Sequence, residues 1–210
     1  MGIKNFLGKL FARRVELDEI KQDDIIILVV GPTGSGKSSF INTAAKKHLV
    51  SVGHGLASRT STVKTVKCLI PNDGDGRSVI FVDTPAFNNS EKTIAEVENV
   101  LERWLKQNKV QNNTIAGILY LHPISQPRMT ERPAAHLARL MRLAGDDPKR
   151  ILLVTTMWPS GDRTTAERRE GEILEKYWNG TGRDDAIHYE EQTPEAAWIV
   201  VERLLEGSDH

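Results

Sequence analysis

The residues with the clearest chemical capacity run from Gly31 to Ser38, GPTGSGKS, which satisfies G-x-x-x-x-G-K-[ST] without a mismatch. Glycines at 31, 34 and 36 permit positive φ and carry no β-carbon, so consecutive amide N–H groups can turn inward around an anion. Lys37 adds a point charge suited to β and γ phosphates, and the Ser38 hydroxyl is a natural oxygen ligand for Mg²⁺. Thr33, Gly34, Ser35, Gly36 and Ser39 complete the expected cradle. The chemistry this implies is capture of the di- or triphosphate tail of a purine nucleotide.

Such a turn works only between a strand and a helix. Ile25 to Val30, IIILVV, is the β-branched run of a strand buried on both faces of a parallel sheet. A helix opening at Lys37 points its unpaired N–H groups and positive dipole end at the same spot.

Two further candidates lie downstream. The loop before the next strand, SVGHGLASRTSTV, is rich in glycine and hydroxyl residues, as in switches that lend a hydroxyl to Mg²⁺ when a γ phosphate is bound. Thr60 is the candidate there and Thr62 its substitute. Ser78 to Val82 reads as a strand, and Asp83 at its carboxyl end is placed to reach Mg²⁺ in the manner of a Walker B acid. Ligands of open α/β sheets bind beyond the carboxyl ends of strands, so Asp83 and Lys37 should face one crevice.

The rest of the chain alternates strand and helix. Strands are expected over 62–70, 114–121, 150–155 and 186–189, with helices from Lys37 to about Leu49 and over 90–106, 163–178 and 194–206. Another helix carries Leu137, Leu140, Met141 and Leu143 and stops at Gly145. This pattern predicts an α/β fold: a three-layer α-β-α P-loop NTPase, or G domain, with a mostly parallel central sheet. The G domain is expected over 25–206, preceded by an amphipathic helix and acidic connector in 1–24 and followed by a tail, 207–210.

In the leading segment, Ile3, Phe6, Leu7, Leu10 and Phe11 recur at helical spacing, with Lys4, Lys9, Arg13 and Arg14 on the remaining face. Three uses of 3–14 stay open: folding back on the domain, docking on a partner, or peripheral contact with an anionic membrane. Phe6 stands where a myristoylation signal wants Ser or Thr. Lys and Arg total 28 and Asp and Glu 28, so no global field attracts nucleic acid, and no nucleic-acid partner is expected. The single cysteine, Cys68, fits strand filler in a reducing compartment, and no apolar window is long enough to cross a bilayer. A cytoplasmic location follows as the expectation.

Taken together, GPTGSGKSSFIN, SRTSTV, VDTPAF, GILYLH and VTTMW resemble the septin-like GTPases that include the immunity-associated GTPases and the chloroplast import receptors. The stretch GILYLHPISQPRM and the ending TTMW are similar to the G-I-I-Y-x-H-x-I-S-x-x-R-M and T-x-M-W of a set of fungal single-domain G proteins. The resemblance spans about Ile25 to Trp198. It implies a Mg²⁺-dependent GTP/GDP switch, slow to hydrolyse alone, that pairs G domains face to face as a homodimer.

Several positions depart from the family pattern. The third G motif, D-x-x-G, here reads Asp83, Thr84, Pro85, Ala86, which predicts a stiffened second switch and impaired turnover. Phe87 stands where a glutamine orients water in some switches, and Arg128 is the candidate to supply charge to a dimer partner's phosphates. His54 and His122 are weaker candidates for phosphate or water. Guanine specificity usually rests on N-K-x-D, but the aligned Thr155, Thr156, Met157 and Trp158 offer no carboxylate. Thr156, Met157 and Trp158 are therefore expected to pack on the base, or Trp158 to be core. Two alternatives stand beside a slow GTPase. One is a nucleotide-loaded assembly module with little hydrolysis. The other is a small-molecule kinase, whose lid arginines would have to be Arg163, Arg168 and Arg169, on a helix that reads as a solvated face.

Overall fold

Ile25–Val30 forms β2, the central strand of a seven-stranded mixed sheet ordered β1-β3-β4-β2-β5-β6-β7. The others are β1 (Ala12–Arg14), β3 (Lys64–Leu69), β4 (Ser78–Asp83), β5 (Ile115–Pro123), β6 (Ile151–Thr156) and β7 (Ala186–His188). The computed structural model describes residues 11–15, 19–21, 23–52, 63–85, 91–107, 115–125, 138, 140–178 and 186–207. From β4 through β2, β5 and β6 to β7 all pairs are parallel, while β3 runs antiparallel to β4 and β1 antiparallel to β3. The continuous apolar runs of β2, β5 and β6 are buried along nearly their whole length, as strands covered on both faces require.

Two helical layers supply that cover. On one face lie α1 (Lys37–Ala44) and α4 (Pro194–Glu206), whose Phe40, Ile41, Trp198 and Leu204 pack with Val29, Phe81 and Leu121. The Trp198 indole N–H donates to Ala44 O at 3.1 Å, pinning the two helices together. On the other face lie α2 (Glu91–Gln107), the helical residues 140–143 and α3 (Arg163–Ile173), with Leu101, Trp104, Leu140, Ala166 and Ile173 against Leu28, Val82 and Tyr120. The expected three layers and largely parallel sheet are present. Pro194 opens α4 behind a Thr193 cap, as its fixed φ allows.

The N-terminal segment corrects one expectation. Helical spacing predicts a helix through Arg14, but 12–14 is a strand, and residues 1–10 lie outside the described residues. The outer edge of β3 would otherwise present unpaired N–H and C=O groups, and β1 satisfies them. Leu69 N–H donates to Phe11 O, Val15 N–H to Thr65 O, and the Thr65 hydroxyl to Val15 O at 2.6 Å. Ala12 and Val15 are buried in the process, a gain that a short isolated helix containing glycine cannot match.

Helix α1 also stops earlier than its pattern suggests, at Ala44. Asn42 explains this. Its Oδ1 accepts from Leu49 N and Val50 N at 2.8 and 2.9 Å while its Nδ2 donates to Val50 O at 2.8 Å, drawing the following chain off the helical path. Cys68 is buried in β3, and burial pushes its thiol up to about 12, in keeping with strand filler.

Candidate functional site

The turn 31–36 leaves β2 and enters α1 at the carboxyl end of the sheet. Gly31 has φ 151°, and a β-carbon there would lie 2.3 Å from Leu121 O and 2.7 Å from Ser35 Oγ. Only glycine lets the turn approach β5 so closely. Gly36, at φ 89°, is the left-handed residue that caps α1.

Lys37 lies at the first position of the helix with only 7% of its surface exposed. Its Nζ donates to Gly31 O at 2.8 Å and Pro32 O at 3.0 Å, so the turn's own carbonyls hold it over the cradle. Burial pulls its pKa down to about 8, opposed by the charge of Asp83. A phosphate oxygen arriving there gives the ammonium a counter-charge that the carbonyl dipoles only partly supply.

Asp83 ends β4 beside this turn, 1% exposed. The Ser38 hydroxyl donates to its Oδ2 at 3.0 Å, while its Oδ1 has no hydrogen-bond partner. Burial raises the carboxyl's pKa, against the pull of Ser38, Lys37 and Lys64. A buried carboxylate oxygen left open next to a serine hydroxyl is the start of an all-oxygen set that suits a hard dication. Mg²⁺ therefore fits these residues. The Thr84 hydroxyl donates to Val29 O at 2.9 Å and locks the end of β4 to the end of β2, a role no motif signalled.

At the far end of the cradle, the Thr156 hydroxyl donates to Ser35 O at 3.0 Å, tying the end of β6 to the P-loop across 121 residues of sequence. Met157 follows in the left-handed region at φ 56°, 42% exposed. A β-carbon on Gly36 would meet its Cε at 3.6 Å, so the thioether sits against the cradle's rim. Trp158 turns the other way. Its indole N–H donates to Thr155 O and Oγ1 at 3.2 and 3.1 Å, and its ring stacks on His188 with centroids 4.3 Å apart. The Arg163 guanidinium lies 5.5 Å from the indole centroid.

Beneath this stack is a residue that sequence reasoning missed. Glu170, 9% exposed on α3, accepts from the Thr155 hydroxyl at 2.7 Å, and its Oε2 lies 2.6 Å from His188 Nε2. No apolar stripe in RTTAERREGEI marks one face of α3 as buried, so Glu170 looks like any other charge there. Arg163 and Arg168 do behave as a solvated face, paired with Glu167 and Glu172.

The structure thus brings together Thr33, Gly34, Ser35, Gly36, Lys37, Ser38, Ser39, Asp83 and Thr156, with Met157 at the rim. Thr60 and Arg128 lie outside the described residues, as do His54, Ala86 and Phe87.

A phosphate-cradling turn between the central strand and first helix of a three-layer α/β sheet, with a strand-end aspartate beside it, defines a P-loop nucleotide-binding protein. Residues 26–156, more than half of the chain, match the family model described as 50S ribosome-binding GTPase, and the chain belongs to that family. GTPase Era of Helicobacter pylori (strain Shi470) and of Helicobacter acinonychis (strain Sheeba) are each 32% identical to it over 71 residues, 32% of this chain. The chain covers 23% of the length of these curated relatives.

Among solved structures, Toc33 from Arabidopsis thaliana with Mg²⁺ and GMPPNP shares the fold with a TM-score of 0.65 at 17% identity, over 88% of this chain and 85% of that one. A point-substituted Era of Aquifex aeolicus bound to GDP·AlF4⁻ has a TM-score of 0.58 at 16% identity, over 88% of this chain and 57% of that one. A structure of the chloroplast translocon components atToc33 and psToc159, for whose GTPase activity dimerization is important, has a TM-score of 0.62 at 19% identity, over 90% and 84%.

Proposed function

We propose that this chain is a Mg²⁺-dependent guanine-nucleotide switch that hydrolyses GTP slowly at the β–γ bond. The observation that carries the reading is the buried Lys37 held over the glycine turn, facing the Ser38–Asp83 pair. In this reading the N–H groups of 33–39 and Lys37 grip the phosphates, while Ser38, Thr60 and Asp83 hold Mg²⁺. Mg²⁺, when bound, neutralises charge on the β and γ oxygens. Catalysis is then positioning and charge stabilisation, with no covalent protein intermediate.

Ala86 and Phe87 favour slow intrinsic turnover. Face-to-face pairing of two G domains, with Arg128 reaching the partner's phosphates, is the proposed stimulus. Toc33 and Toc159, for which dimerization matters, share the fold. Within the family, the septin-like branch is the proposed affiliation, on the GILYLH and VTTMW stretches. A cytoplasmic location, with the leading segment 3–14 touching a partner or a membrane surface, is the proposed setting; no helix among the described residues is long and apolar enough to cross a membrane.

Calorimetry with GDP, a non-hydrolysable GTP analogue and an ATP analogue, with and without Mg²⁺, tests the core of this. Mg²⁺-assisted binding of the guanine ligands is expected; no affinity for any of them would sink the reading. Phosphate release per molecule should rise with protein concentration and lose that dependence in Arg128→Ala. A rate independent of concentration leaves the alternative, a loaded assembly module, in its place.

A further inference from the structure

Among the described residues three large apolar side chains are exposed: Phe11, Met157 and Ile199. Phe11 precedes β1 at the end of the sheet away from Asp83, and Ile199 lies on α4. Met157 stands at the cradle. It holds a left-handed backbone at φ 56°, a conformation that is costly for a residue with a side chain and persists only where its surroundings impose it. Both neighbours do so: the Thr156 hydroxyl is tied to Ser35 O and the Trp158 indole to Thr155. The thioether is thereby held at the rim, its Cε 3.6 Å from where a β-carbon on Gly36 would lie.

The order of the strands says which part of a nucleotide comes to this rim. Asp83, with Ser38 on its carboxylate, ends the strand on one side of β2, whereas Met157 follows β6, two strands to the other side. A nucleotide with its phosphates in the cradle and Mg²⁺ at Asp83 extends its base away from the metal, toward β6. The Trp158 ring is already taken up by the His188 ring and the Arg163 guanidinium, so the Met157 thioether is the apolar group at the rim that can lie on the base. A polarizable sulfur packs well against an aromatic ring. The same sulfur is open to reagents. Cys68 is buried in β3 with its thiol pushed up to about 12, and Met141 is packed against the core, which leaves Met157 as the exposed sulfur among the described residues.

We propose that Met157 is an oxidation-sensitive contact to the base of the bound nucleotide: conversion of its thioether to the sulfoxide weakens nucleotide binding and leaves the grip on phosphate intact. The inference rests on the nucleotide reading above. In the step, a hydroperoxide passes one oxygen atom to the sulfur. The O–O bond breaks and an S–O bond forms, the sulfur gives up two electrons that the peroxide gains, and hydrogen peroxide leaves as water. The product is polar where the thioether was apolar, so the cover over the base loses its packing. Lys37, Ser38 and Asp83 carry no group that this reaction touches.

The full chain carries the test. After mild treatment with hydrogen peroxide, peptide mass mapping should find Met157 carrying one added oxygen. Calorimetric GDP affinity should then fall about tenfold, while affinity for inorganic pyrophosphate stays within about twofold, and methionine sulfoxide reductase should restore the first. Met1 and Met129 lie outside the described residues, and Met157→Leu separates them from Met157. Whatever its starting affinity for GDP, that variant should show the same value before and after peroxide. Equal losses for GDP and pyrophosphate, a GDP loss that persists in Met157→Leu, or an undiminished GDP affinity with Met157 oxidised would each overturn the proposal. Should Met157→Leu fail to fold, a series of partial oxidations of the unsubstituted protein decides: a GDP loss that tracks the fraction of Met157 sulfoxide supports it, and one that tracks Met1 or Met129 overturns it. If the untreated protein binds neither GDP nor pyrophosphate, the nucleotide reading itself has failed and Met157 falls with it; a protein that binds both and ignores oxidation of Met157 sinks this proposal alone.

Discussion

The two ends of the proposed nucleotide site are built on different principles. At the phosphate end, recognition is made of backbone: a turn of glycines, a helix start and one lysine held by two carbonyls of the same turn. At the opposite end, the wall is made of side chains from three separated elements, with Thr155 in β6 and Trp158 just past it, Glu170 on α3 and His188 at the end of β7. A backbone cradle has few sequence solutions, because it needs left-handed residues at fixed intervals. A side-chain wall has many. The first end therefore tolerates almost no substitution, and the second can drift as long as its polar atoms stay mutually satisfied.

The largest expected effect lies at the phosphate end. Lys37→Met should lower GDP and GTP-analogue affinity by about 100-fold, since a charge-assisted contact to phosphate is lost. The nucleotide-free protein should not lose stability, because the substitution removes a buried charge whose pKa burial already pulls down to about 8. Calorimetry and thermal melting together check this, and an intact affinity would break the comparison at its stronger side. Gly31→Ala should cost both: the added β-carbon would meet Leu121 O at 2.3 Å in a strained backbone region, so folding stability and binding fall together.

Next in size is Glu170→Ala. It strips the shorter acceptor from the Thr155 hydroxyl, which keeps Ile187 O at 3.3 Å, and the 2.6 Å partner from His188 Nε2, at a cost of about 1–3 kcal/mol. Binding of inorganic pyrophosphate should be unchanged, since the phosphate cradle does not use this wall, whereas GDP should bind more weakly. Equal loss for pyrophosphate and GDP would show that the two ends are one unit. Thr156→Val probes a direct tie between them, the hydroxyl on Ser35 O at 3.0 Å, and should cost about 1 kcal/mol of stability, read from denaturant midpoints.

This division also explains what could be read from the chain before any coordinates. The layers, the parallel core and the cradle were legible because the apolar runs of β2, β5 and β6 and the GPTGSGKS turn are local signals. The strand at 12–14 was not, because an amphipathic segment declares that it will bury one side but not whether a helix partner or a free sheet edge will take it. Its helical spacing is genuine, and the edge of β3 outcompetes it. Glu170 was illegible for a related reason: its burial is imposed by Thr155 and His188, 15 residues before it and 18 after it. Thr84 lay in plain sight within VDTPAF, yet its bond to Val29 O depends on strand order, which spacing alone does not give.

The smallest expected effect concerns His122 of β5, one residue beyond the Leu121 carbonyl that abuts Gly31 and in register with Thr155 of β6. Its folded pKa of about 4 lies below the ordinary 6.5, so between those values the unfolded chain holds a proton that the folded ring does not. Stability from this group is full above pH 6.5 and falls as the pH drops toward 4, by up to about 1.4 kcal/mol per pH unit. Carboxylates titrate over part of that range, so the informative quantity is a difference. Denaturant unfolding of the unsubstituted protein and of His122→Leu, each from about pH 7.5 to about 4.5, should give curves that diverge as acid is added, with the leucine variant keeping more of its stability. Parallel curves would mean that the imidazole reaches solvent or a partner in the folded protein, and burial would no longer set its titration.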